Sequence, residues 1–102
     1  MALEVTGEVR ALPAGVDLTA YRLVQEALGR ARDAGGAGQA SVRIAYGSDD
    51  VRVDVADDGA PQGRRLLGMR ERVSVYGGEL AAAPADGGGW RVSARLPVEA
   101  PA

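Results

Sequence analysis

The chain has 102 residues, an apolar share of 46%, a charged share of 25% and a formal net charge of −2; this is the profile of one soluble globular domain, able to bury about 60–65% of its unfolded surface around a single core. With neither Cys nor His, disulfides, thiolate catalysis, cysteine zinc sites, an imidazole base and a phosphohistidine acceptor are all excluded. All 12 basic residues are Arg, which removes the lysine of a phosphate-binding P-loop, and the balanced charge carries no general nucleic-acid footprint.

Residues 3–11 alternate, with Leu3, Val5, Gly7, Val9 and Ala11 on one side and Glu4, Thr6, Glu8 and Arg10 on the other, predicting a half-buried strand. The same charges interrupt any apolar stretch, so no secretory signal is expected and the expected compartment is the cytoplasm. Apolar runs elsewhere are only a few residues long, too short for a transmembrane helix. Pro13 and Gly15 predict a turn over residues 12–15. Asp17 then caps a helix whose apolar stripe is Tyr21, Val24, Ala27, Leu28 and Ala31, ended by Gly35, Gly36 and Gly38.

Residues 41–46 alternate again, with Val42, Ile44 and Tyr46 on one side. Residues 47–50 turn the chain, and Val51, Val53 and Val55 share one side of the next strand, so the two strands predict a hairpin. Residues 57–65, DDGAPQGRR, have the composition of a loop. Leu66, Met69, Val73 and Tyr76 mark a second amphipathic helix, closed by Gly77 and Gly78. Residues 79–83 and 90–96 predict a last hairpin. One domain is expected over residues 1–97, with a frayed tail at 98–102. Two helices are too few to cover both faces of such a sheet. The expected class is therefore α+β, a two-layer sandwich of a mixed sheet with both helices on one face and a more polar face opposite.

Four segments stand out along this framework: residues 21–28 (YRLVQEAL), 55–59 (VADDG), 67–73 (LGMRERV), and the pair 77–80 (GGEL) and 89–97 (GWRVSARLP). Together they resemble the C-terminal ATP-binding domain of sensor histidine kinases, in the group whose partners are nitrate-response-type, helix-turn-helix response regulators. The likeness runs over residues 5–97 and implies the Bergerat, or GHKL, fold.

The resemblance implies roles residue by residue. Glu26 matches a helix glutamate that faces the nucleotide and polarises the acceptor or orders the shell of magnesium. The asparagine that helps hold magnesium four residues later is here Arg30. A guanidinium only donates hydrogen bonds and cannot ligate a cation; on its own residues, the pair reads either as Arg30 meeting phosphates or as a surface i,i+4 ion pair worth about 0.3–0.5 kcal/mol. Asp57 matches the carboxylate that accepts a hydrogen bond from the adenine amino group, and Gly59 the first glycine after it; unaided, Asp-Asp-Gly also reads as a polar turn. The second glycine is Pro61, which lacks an N–H and cannot allow the same close backbone approach. Arg65 replaces a lid glycine, leaving Arg64 and Arg65 to steady phosphates or to sit in solvent. Gly68 matches a position where a small residue lets the second helix approach the pocket.

Met69, Val73 and Tyr76 are expected in the core, Arg70, Glu71 and Arg72 on a solvated face, and Trp90 packed against a helix. ATP and Mg2+ are the cofactors the resemblance implies, and a histidine-bearing dimerisation domain and, indirectly, a response regulator the partners; nucleic acid and membrane contacts are not. Arg30, Pro61 and Arg65 predict weak or absent magnesium-dependent ATP binding. Two alternatives stand beside the kinase domain: a non-catalytic module of the same fold that docks on a helical partner, and an anti-sigma-type serine kinase.

Overall fold

Seven elements follow one another in the predicted order: β1 (Ala2–Gly7), α1 (Ala14–Asp33), β2 (Ala40–Tyr46), β3 (Asp50–Asp57), α2 (Leu67–Val75), β4 (Glu79–Pro84) and β5 (Trp90–Pro97). The computed structural model describes residues 2–9, 11–33, 40–59, 67–84 and 88–98, with backbone alone at 2, 30–33 and 67. The five strands form one sheet in the order β1-β2-β3-β5-β4. β1 runs parallel to β2, and the other three pairings are antiparallel. This is the expected mixed sheet.

Alternation explains the layering. Val51, Val53 and Val55 of β3, Val42 of β2, and Ala94 and Leu96 of β5 are buried on one side. They pack there with Val16, Leu23 and Ala27 of α1 and with Met69 and Val73 of α2. Because the side-chain period of a strand is two, the intervening residues form the opposite, polar face.

That polar face is charge-matched across strands. Arg52 and Arg95 are directly opposite one another, an arrangement that repels unless an anion intervenes. Asp50 supplies it: one of its oxygens lies 2.7 Å from Arg95 Nε and 3.5 Å from Arg52 Nε. Asp54 accepts from Ser93 and, at 3.2 Å, from Arg91, while Glu4 faces Arg43 at 3.5 Å. Asp50, expected in a turn, begins β3 and is buried because it mediates between two guanidinium groups.

Several expectations are corrected. β1 stops at Gly7, short of residue 11, because its register with β2 ends at the pair Gly7 and Tyr46. It is not half-buried: residues 3–9 are exposed throughout, since α1 packs on β2, β3 and β5 without reaching β1. An apolar groove of about 320 Å³ lies between Leu3, Ile44 and Tyr46 on the sheet and Tyr21, Val24 and Leu28 on α1. Tyr21 therefore stands at the groove, 63% exposed, instead of in the core. The buried line of α1 is Val16, Leu23 and Ala27.

α1 also starts earlier than expected. Asp17 N–H donates to the Pro13 carbonyl at 2.9 Å, so Pro13 stands at the cap and Asp17 within the first turn, where its charge complements the helix dipole. Tyr76, expected in the core, is 40% exposed just past α2, its phenol laid over Gly15. Val98, expected in the tail, is buried and donates its N–H to the Asp49 carbonyl at 2.8 Å. The glycines proposed to end α1 lie outside the described residues.

The end of α2 is as predicted. Gly77 takes φ +74°, its N–H donates to the Ser74 carbonyl, and Gly78 N–H donates to the Val73 carbonyl at 3.0 Å, the two bonds of a Schellman cap. Gly78 then presses against β5, where a Cβ would collide with the Arg95 carbonyl oxygen and the Val73 side chain. Gly78→Ala is expected to destabilise the domain by about 1–3 kcal/mol through overpacking. A thermal melt checks this; an unchanged midpoint would mean that α2 is not held this tightly to the sheet.

Candidate functional site

The register defines one end of the sheet by a single row, Ala40, Asp57, Trp90 and Pro84. α2 runs toward the other end, because Gly78 after it touches Arg95, so the start of α2 lies toward this row. The N-terminal turn of α1 meets Tyr76 at that far end, so the C-terminal half of α1 also lies toward this row. The end of β3, the later turns of α1 and the first turn of α2 thus share one edge of the two-layer sandwich.

Asp57 is the acid at this edge. It shares the helix-facing side of β3 with Val51, Val53 and Val55, and only 8% of its surface is exposed. Its Oδ1 accepts the Gly59 N–H at 2.8 Å, a turn that holds the carboxylate in one orientation. An ionised carboxylate is acceptor-only, and one fixed on a rigid strand end suits an exocyclic amine. Gly59 is buried beside it, whereas Asp58 is exposed.

Glu26, on α1, forms an ion pair with Arg72 of α2. Arg72 is exposed, as expected, and it gives Glu26 a partner across the helix layer. Its neighbour Arg70 donates to the Leu80 carbonyl of β4 at 3.2 Å, so α2 is tied on one side to α1 and on the other to the sheet. With side chains 45% and 33% exposed, the Arg72–Glu26 pair contributes at most about 1 kcal/mol. Its consequence is positional: it places a guanidinium beside the Glu26 carboxylate.

Gly68 is exposed, and among the described residues a Cβ there would meet nothing within 4 Å. The side chain of Arg30, and Pro61, Arg64 and Arg65 entirely, lie outside the described residues. Among those described, no group of three or more metal-ligating side chains could hold a metal ion. Glu26 has Arg72 beside it, and the described carboxylates form no cluster of the kind that holds magnesium.

Two residues not assigned to the site from sequence lie beside Asp57. Gly89, with φ +95°, lies so close to the end of β3 that a Cβ would strike the Asp57 carbonyl oxygen. Trp90 follows it, directly opposite Asp57 in the ladder. The glycine run before Trp90 was a visible signal of a special turn, but its partner strand depends on register.

The architecture, a five-stranded mixed sheet covered on one face by two helices, is the GHKL-like α+β fold of histidine-kinase ATP-binding domains. Over 81 residues, 74% of its length, the chain is 35% identical to the sensor histidine kinase LnrJ of Bacillus subtilis (strain 168), and it spans about one fifth of that relative. Among solved structures, it superposes over 95% of its length on the histidine kinase domain of the blue-light activated histidine kinase EL346 from Erythrobacter litoralis, with a TM-score of 0.67 and 22% identity, covering 54% of that chain. The ATP-binding domain of PrrB from Mycobacterium tuberculosis aligns over 96% of this chain and 82% of its own, with a TM-score of 0.64 and 24% identity. No family model matches the chain. Among the described residues, no helix is long and apolar enough to cross a membrane.

Proposed function

We propose that the chain is the ATP-binding domain of a two-component sensor histidine kinase, gripping its nucleotide by the base and only weakly through magnesium. The observation that carries this reading is Asp57: a shielded carboxylate, fixed by the Gly59 N–H, on the helix-facing side of a kinase-type sheet. Arg64 and Arg65, just before α2, supply positive charge for the phosphates, and the start of that helix adds its own partial positive charge. The chain contains no histidine, so the γ-phosphate passes to a histidine on a separate dimerisation domain. From there it goes to a response regulator of the nitrate-response type, with the whole exchange in the cytoplasm.

The test is a thermal melt with ATP in Mg2+ or in EDTA. At ten times its Kd the nucleotide stabilises by about 1.4 kcal/mol, a rise of about 6–11 °C for a domain of this size. The expected rise is the same in both buffers. A rise seen only with Mg2+ would show an intact metal site and overturn the magnesium part of the reading. The Glu26–Arg72 pair favours a second reading, a non-catalytic module of the same fold acting on a helical partner. No rise with ATP, ADP or GTP in either buffer would put that module first.

A further inference from the structure

The sole tryptophan of the chain stands opposite Asp57 in the β3–β5 ladder. Directly paired residues carry their side chains on the same side of a sheet, with Cβ atoms about 4.5–5.5 Å apart. The next row inward on that side, Val55 and Val92, is buried, so the indole lies in the end row of the ladder, next to the core. It is half-buried: its Nε1 is shielded from solvent while the residue as a whole keeps exposed surface. Gly89, pressed on the Asp57 carbonyl, brings no side chain between the indole and the acid. Pro84, paired with Trp90 on its other side, is exposed.

We propose that Trp90 is the aromatic wall of the base site: a 6-aminopurine stacks on its indole while the exocyclic amine meets Asp57. The inference rests on the reading of Asp57 as the adenine acceptor and adds to it a second, independent grip. An arrangement of one in-plane acceptor and one π-face reads a planar amine-bearing ring whatever its phosphates do. It accounts for a nucleotide held by its base in a chain whose phosphate and magnesium positions are altered.

A single tryptophan makes the site self-reporting. Emission excited at 295 nm is followed during ATP titration of the intact chain, with calorimetry run in parallel. The expected result is saturable quenching at the calorimetric Kd, about tenfold weaker calorimetric binding in Trp90→Leu, and binding within about threefold of the parent in Trp90→Phe, which keeps a stackable ring. Calorimetric binding with unchanged emission would overturn the wall, as would Trp90→Leu binding equally well or more tightly, which would make the indole a plug. Either result would leave Asp57 as the acceptor. The absence of both heat and quenching in the parent protein would sink the Asp57 reading itself and the wall with it. Should Trp90→Leu fail to fold, the parent's emission titration still decides between a wall and a bystander.

Discussion

Leu96→Ala is expected to lower stability by about 2–5 kcal/mol, the largest loss from a single truncation outside the site. Leu96 is fully buried, on a strand flanked on both sides, with Val51 directly opposite. The cavity would open where β5 meets both helices and the end of the chain at Val98, and a sheet interior of this kind collapses poorly around a void. A domain of this size has about 5–15 kcal/mol in all, so the midpoint should fall by about 10–30 °C. Val75→Ala is the matched control: Val75 is 78% exposed, and its loss should stay within about 0.5 kcal/mol. Equal effects from the two would contradict the placement of the core.

The elements legible in the sequence were those whose burial is one-sided and local. β3 reads as a strand because three valines two residues apart can share only one side. The end of α2 reads correctly because Gly77 and Gly78 are required by bonds made within five residues. β1 has the same alternation as β2, yet it is exposed. Whether an apolar side is covered depends on where a distant helix lands, and α1 lands short of it. Tyr21 fails for the same reason, since a stripe rotated by one position satisfies the helical period equally well. Asp50 reads as a turn residue because its partner, Arg95, is 45 residues away.

The candidate site divides along the same line. Asp57 was legible as the end of a strand followed by Gly59, and the structure adds the burial and the turn that hold its carboxylate. Arg72 was not legible as the partner of Glu26, because charges on a short helix look solvated until the neighbouring helix is placed. Trp90 was assigned to helix packing, as a lone aromatic at a strand start usually is. The register sets Trp90 beside Asp57 on the helix-facing side, which no local signal shows, and a slip of one residue would reverse it.

Asp57→Asn is expected to weaken ATP binding by about 10- to 150-fold, the value of one charge-assisted hydrogen bond of about 1.5–3 kcal/mol. The substitution is nearly isosteric, and the amide oxygen can still accept the Gly59 N–H, so the turn after β3 survives. What changes is the group offered to the base. A carboxylate only accepts, whereas an amide whose oxygen is held by Gly59 turns its NH2 outward, against the amine of adenine and toward the carbonyl of guanine. ATP should therefore lose affinity while GTP gains relative to it, and calorimetry with both nucleotides separates this from a general loss of fold. Asp57→Ala is the blunter instrument, because it also strands a buried backbone N–H at a cost of about 1–3 kcal/mol. A lower midpoint there says nothing about the base. If the asparagine variant binds ATP as the parent does, with no shift in the ATP-to-GTP ratio, the acid serves the turn alone.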